Sequence, residues 1–171
     1  MLALTVGVWR TRPHAKQRSV FAQTGPPGIS FPTLNLYVYA GGSKQWTLTA
    51  VNASISDDQR FIRSQSIRNG RFYQDGQVAG RFTAGPATYD KTTNDLDLGG
   101  PIRVNAANGA ALRCGSLHYL FATRRLAVEG PLTFTNGKST FTAGRLDADL
   151  SLSELTFGAT PGQPVTLSTR T

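Results

Sequence analysis

A register of about thirty residues recurs along this chain and narrows the architectures open to it. Ala84-Gly85-Pro86-Ala87-Thr88-Tyr89-Asp90 is followed by Cys114-Gly115-Ser116-Leu117-His118-Tyr119-Leu120, then by Ala143-Gly144-Arg145-Leu146-Asp147-Ala148-Asp149, with starts 30 and 29 residues apart. Twelve residues beyond each start stands an alternating apolar pair: Leu96 and Leu98, Leu126 and Val128, Leu155 and Phe157. The first two copies also share a Gly-Pro step and a second pair, Gly100-Pro101-Ile102-Arg103-Val104 and Gly130-Pro131-Leu132-Thr133-Phe134. A fixed period of this size marks one supersecondary unit stacked on itself, each copy burying an apolar face that its neighbour also needs.

Within the units apolar and polar residues alternate, as in Leu96-Asp97-Leu98 and Thr133-Phe134-Thr135. That is the two-residue period of a half-buried strand, and no segment carries a sustained helical stripe. Turn formers separate the runs: Thr92 to Asp95, Asn105 to Gly109, Asn136-Gly137 and Gly158 to Gly162. Each unit therefore predicts two strands and two turns. Asn136-Gly137 predicts the central pair of a type I′ hairpin turn, because both positions need positive φ. A degraded copy lies upstream, where Trp46-Thr47-Leu48-Thr49-Ala50 anticipates Arg81-Phe82-Thr83-Ala84. Phe61-Ile62, Ile67, Phe72-Tyr73 and Val78 supply further short strands between them. Roughly four units, the first irregular, fill Leu34 to Thr171. The fold class is all-β, built of stacked antiparallel hairpins; the alternative is a β-sandwich whose strands happen to be evenly spaced.

At 171 residues the chain suits one domain that needs no covalent staples. Charged residues make up only 16%, with Thr, Ser, Asn and Gln abundant, a composition that suits an extracytoplasmic β-protein. Cys114 is the single cysteine, which excludes an intramolecular disulfide and a cysteine-built metal site. Its register position, occupied by Ala84 and Ala143 in the other copies, marks it as a small buried residue. Residues 1–9, Met1 to Trp9, are apolar and stop at Arg10. They are shorter than the ~20 residues of a membrane helix and lack the basic flank of a signal peptide. The segment reads either as the remnant of a membrane anchor or as a short loose terminus. Residues 10–32, with Arg10, Arg12, His14, Lys16, Arg18 and Gly25-Pro26-Pro27-Gly28, read as a basic linker, leaving 33–171 as the folded domain.

The formal charge is +8, and Arg60, Arg63, Arg68, Arg71 and Arg81 fall within 22 residues with Asp75 as the only acid between them. Arginine favours bidentate contact with phosphate or carboxylate, so Arg60, Arg63, Arg68 and Arg71 are candidates for an anionic headgroup. The plainer reading is charged strand edges guarded against aggregation. No aromatic-interleaved motif points to nucleic acid.

Catalysis needs a convergent set of groups, and little is on offer. His14 and His118 are isolated from each other, so neither a metal site nor a cofactor is expected. Asp95 with Asp97, and Asp147 with Asp149, are spaced to share a strand face, and paired carboxylates can act as acid and base. Asp90 and Asp149, however, hold equivalent register positions, as turn-forming residues do. Neither a phosphate loop nor Gly-x-Ser-x-Gly occurs. No catalytic residue is assigned; an enzyme acting on acidic polysaccharide through His118, Asp147 and Asp149 stands as one alternative. A structural repeat with a closed core is the other.

Trp46-Thr47-Leu48-Thr49-Ala50, Phe82-Thr83-Ala84-Gly85 with Tyr89-Asp90, Leu96-Asp97-Leu98-Gly99-Gly100, Gly109-Ala110-Ala111-Leu112 and Leu117-His118-Tyr119, in that order, resemble the LptC family. These are periplasmic lipopolysaccharide-transport proteins related to LptA and other OstA-like domains. The resemblance covers Leu34 to Phe157. It implies a β-jelly roll of stacked antiparallel hairpins, open at its ends and V-shaped, with an apolar groove and no catalytic activity. It implies as partners lipopolysaccharide or a similar anionic lipid, an inner-membrane ABC transporter complex, and other jelly-roll proteins of the same system joined by strand addition. The implied location is the periplasm, with an N-terminal tether. The same-phase apolar residues are the expected groove lining: Leu96, Leu98, Ile102, Val104, Leu117, Tyr119, Leu126, Val128, Leu132, Phe134, Phe141, Leu155 and Phe157. The arginines of the first unit are expected at its mouth. Cations at Arg10 to Arg18 would lie on the periplasmic side of an anchor, contrary to the positive-inside tendency, so a soluble LptA-like bridging role stays open beside the tethered one.

Overall fold

The structure, a computed structural model, describes residues 28–169. The segment read as an anchor remnant or loose terminus, 1–9, lies outside the described residues, as does most of the expected linker. The strands are β1 (Ile29–Ala40), β2 (Ser43–Ile55), β3 (Phe61–Ser64), β4 (Ser66–Gln74), β5 (Gln77–Ala84), β6 (Ala87–Asp90), β7 (Leu96–Ala106), β8 (Ala111–Leu120), β9 (Arg125–Asn136), β10 (Ser139–Asp149), β11 (Leu155–Gly158) and β12 (Thr166–Thr169). No helix is described.

The pairings resolve into an antiparallel meander of bent strands. β3 and β4 lie end to end on one edge of β2, in a single register from Ile55↔Ile62 to Thr49↔Arg68. β5 and β6 likewise share one edge of β7 and differ by a single-residue slip at Gly85-Pro86. β11 and β12 share the outer edge of β10. The sequence therefore runs β1, β2, β3–β4, β5–β6, β7, β8, β9, β10, β11–β12, each beside the next. β1 pairs only with β2, and β11 and β12 only with β10, so the sheet has two free edges among the described residues.

The bends explain the thirty-residue register. Pairing slips in β4–β5 at Ile67/Gly70 and again at Phe72/Tyr73, and once each in β7–β8 (Gly99/Ile102), β8–β9 (Cys114/His118) and β9–β10 (Ala143/Arg145). Gly85, Gly100-Pro101, Gly115, Gly130-Pro131 and Gly144, the fixed points of the repeat, all fall on this line. A bulge bends its strand and strengthens the local twist. At Gly100, φ is +75° and the backbone of Gly85 approaches to 3.2 Å of where a Cβ would sit, so a side chain is excluded twice. The loops repeat as well. Asp90 N–H donates to Asp95 O at 3.0 Å and Asp149 N–H to Glu154 O at 3.1 Å; Asn94, Arg124 and Leu152 take matching left-handed conformations.

The bulge line folds the sheet into two arms. One contains β4, β5 and β12 with Ile102–Ala106, Ala111–Cys114, Leu132–Asn136 and Ser139–Ala143. The other contains β3, β6 and β11 with Leu96–Gly99, Leu117–Leu120, Arg125–Glu129 and Arg145–Asp149. Apolar side chains of both arms meet in one core. Trp46 packs edge-on to Tyr89 at 4.9 Å, Phe72 meets Tyr119 at 5.4 Å, and Phe134 meets Phe157 at 5.8 Å. Each large side chain so buried stabilises the fold by ~1.5–3 kcal/mol before chain entropy is counted.

Two local expectations are corrected. β1 begins at Ile29, inside the segment read as linker to residue 32. Pro32 signalled a break, but β1 is an edge strand, where a residue without N–H costs no ladder bond. The β9–β10 turn also sits one residue later than expected: Asn136 pairs with Ser139, leaving Gly137 (φ +57°) and Lys138 at the centre. Glycine at the first central position fits type II′, not I′. This register places Phe134 opposite Phe141, both on the inner face, and a one-residue slip would turn one of them outward.

Candidate functional site

The thirteen residues expected to line a groove converge on the space between the arms. Ten of them, Leu96, Leu98, Ile102, Val104, Leu117, Tyr119, Leu126, Val128, Leu132 and Phe134, are less than 5% exposed. They line a packed interior. Phe141, Leu155 and Phe157 are only half-buried, and all three lie at the β10–β11 end. There Phe141 stacks on Phe157 at 5.2 Å, and Leu167 of β12, opposite Phe141, is 58% exposed. The β1 end has the same character, with Leu34 and Leu36 partly buried against the core. Leu34, Leu36 and Leu167 escaped the sequence reading because they fall outside the clear copies of the register. Their alternation with polar neighbours was the available signal.

Among the described residues neither end of this interior is finished by a polar layer. A stacked β-array that is to stand alone needs such a cap, because each terminal unit otherwise leaves an apolar face and a row of unpaired backbone groups. The interior is thus continuous from edge to edge and apolar at both.

The candidate headgroup arginines do not line it. Arg60 forms an ion pair with Asp90 at 2.7 Å and lies over the Phe61 ring at 4.7 Å. That pairing, with the backbone N–H of Thr92, holds the Asp90 carboxyl down at about 2. Arg63 also covers Phe61, at 5.4 Å. Arg68 and Arg71 point outward from β4, on the face opposite the core. Arg60 and Arg63 are thus engaged in local ion-pair and cation–π contacts, and Arg68 and Arg71 face solvent.

The residues of the polysaccharide-enzyme alternative are each engaged locally. His118 bonds Asp97, which raises the imidazole pKa above its ordinary value. Asp147 takes a bond from Arg125 Nε at 2.6 Å. Asp149 accepts from the backbone N–H groups of Ser153 at 2.7 Å and Glu154 at 2.8 Å, fixing the β10–β11 loop. Burial raises its carboxyl pKa, but these bonds and that of the Ser151 hydroxyl outweigh it and leave the net shift downward. His118 and Asp147 stand on the outer face with β9 between them and converge on no shared cleft. Burial pushes the Cys114 thiol up to about 12, so it is unionised at neutral pH. No group of three His, Cys, Asp or Glu side chains could hold a metal among the described residues.

The amino-acid sequence that builds these bent strands matches a known family model. That model, described as lipopolysaccharide-assembly, LptC-related, aligns with residues 69–159, more than half of the chain. The chain belongs to the LptC-related family. Among solved structures, this LptC-related chain is similar to LptH from Pseudomonas aeruginosa, described as the LptA-homologous periplasmic component of the conserved lipopolysaccharide transport device. The TM-score is 0.57 at 13% identity, over 74% of this chain and 95% of that one. At such identity the likeness shows the fold alone, an all-β jelly roll. No curated protein sequence matches the chain.

Proposed function

We propose that this protein is a noncatalytic, periplasmic component of lipopolysaccharide transport that takes lipid acyl chains between its two arms and passes them on through its sheet edges. The carrying observation is the apolar interior that runs the length of the sheet and ends, at both edges, in half-buried apolar side chains. Acyl chains entering it would gain ~0.8 kcal/mol per buried methylene, enough to reward parting the arms. The route in is the β10–β11 end, where Phe141, Leu155, Phe157 and Leu167 are already partly open to solvent. Among the described residues β1 and β11–β12 carry unpaired backbone groups, the chemistry for adding a strand of a second jelly-roll protein. On this reading one edge faces an inner-membrane ABC transporter complex and the other a periplasmic bridge. On the same reading residues 1–9 belong to an N-terminal tether.

The packed state of the interior favours a second reading, a structural repeat with a closed core. Displacement of a fluorescent fatty acid by purified lipopolysaccharide separates the two. Saturable uptake, weakened at least several-fold by Phe157→Ser, supports transport; a folded protein that takes up neither amphiphile supports the closed core.

A further inference from the structure

The outer face of the β4–β5 arm carries an unneutralised arginine ladder. Arg71 of β4 stands directly opposite Arg81 of β5, and Arg103 of β7 directly opposite Arg113 of β8. Thr83 and Asn105, the direct partners of Arg103 and Arg81 across β5–β7, complete the rungs. All four arginines are exposed and alternate with core residues such as Phe72, Phe82, Val104 and Leu112. With strands ~4.8 Å apart, the ladder spans about 14 Å. Like charges directly opposite one another weaken a strand pair, so two such rungs side by side cost stability and need a reason.

Among the described residues no carboxylate forms an ion pair with them. The chain's ten acidic residues all lie in turns or in the strand halves across the bulge line. The ion pairs among the described residues use Asp90, Asp97, Asp147 and Glu154, and so belong to the other arm and its loops. A shallow recess of about 320 Å³ opens between Arg71, Arg81 and Arg103. It adjoins a larger depression of about 580 Å³ that shares Arg103 and reaches Arg113, Pro101 and Pro131.

The same row continues into tyrosine. Tyr37 of β1 pairs with Thr47, and Thr47 with Arg71; Tyr37 and Tyr39 are 60% and 56% exposed. Lys44 lies over the rings of Tyr39 and Tyr73 at 5.9 and 5.2 Å. Exposed tyrosines flanking an array of arginines match the composition of a surface at the headgroup level of a bilayer, where the ring meets the interface and guanidinium meets phosphate. An extended array of this kind suits a plane of phosphates better than one small anion.

We propose that the outer face of the β4–β5 arm binds the surface of an anionic phospholipid bilayer through Arg71, Arg81, Arg103 and Arg113, with Tyr37 and Tyr39 at the interface. Because this face is opposite the apolar interior, the lipids it meets are not the ones the interior would carry, and the inference stands independently of lipid uptake.

The test is flotation of the 171-residue chain with phosphatidylcholine–phosphatidylglycerol vesicles against phosphatidylcholine alone. Binding should need the anionic lipid and weaken with added salt. Each arginine removed should cost about 5-fold, so Arg103→Gln with Arg113→Gln should cost roughly 30-fold, while Arg145→Gln on the other arm changes nothing. Relieving an opposed pair should leave the melting temperature no lower, and Arg71→Gln with Arg81→Gln provides a second, independent pair. Equal binding to neutral vesicles, or binding that both double variants retain, overturns the proposal. Tighter binding to a duplex oligonucleotide than to anionic vesicles, lost in the same variants, overturns the bilayer as the partner.

Discussion

Gly70 shows how much one position can decide. It pairs with Phe82, and a Cβ there would lie 2.5 Å from the Phe82 ring, which is itself stacked on Phe72 at 4.4 Å. Both rings are buried and cannot swing away, so Gly70→Ala should destabilise the fold by ~1–3 kcal/mol, seen as a lower denaturant midpoint. An unchanged midpoint would mean that the ring has room to move. His118 gives a pH signature. Its bond to Asp97, aided by the nearby charge of Asp95, raises its pKa above 6.5, so the folded state favours the protonated imidazole. That stability is fully present below the unfolded value and is lost as pH rises through the raised folded one. The melting temperature should therefore fall from about pH 6.5 upward, and His118→Gln should flatten the slope. The side chains are 39% and 63% exposed, which keeps the effect within the ~1 kcal/mol of a surface pair. Neither contact was legible in the sequence, because Asp97 and His118 become neighbours only through the β7–β8 register.

Among the elements, alternation and turn chemistry carried most of the information. The strands after Ala84 were readable because each copy of the register repeats two-residue alternation between turn residues. What the register meant was not readable: its glycines and Gly-Pro steps marked the period without showing their role, and they prove to sit where the pairing slips. Spacing alone does not separate a turn from a bulge, since glycine serves both. The β10–β11 loop shows the opposite case. In sequence Asp149 suits both a catalytic carboxylate and a turn residue, and its bonds to Ser153 and Glu154 N–H fit the second role. Asp149→Ala should cost ~1–3 kcal/mol in thermal or chemical unfolding, as loss of charged hydrogen bonds does. It should leave lipopolysaccharide uptake per folded molecule intact. Loss of a polysaccharide-cleaving activity in a folded Asp149→Asn protein would restore the enzymatic alternative.

For the molecule as a whole, the all-β class and the family were legible from the register and its motifs. The arrangement of charge was not. The cluster of arginines near the first unit looked continuous in sequence, yet the fold divides it between ion pairs at Arg60, stacking at Arg63 and an outward ladder that recruits Arg103 and Arg113 from two later strands. The state of the interior was equally hidden, because a packed core and a lipid groove require the same alternation. Placing a photoreactive phenylalanine at Phe141, with the outward neighbour Thr142 as its partner position, addresses that directly. Saturable crosslinking to purified lipopolysaccharide at 141 and none at 142 is the expected result. Crosslinking at neither position in a folded protein, or at both equally, would contradict an interior that opens to lipid at the β10–β11 end.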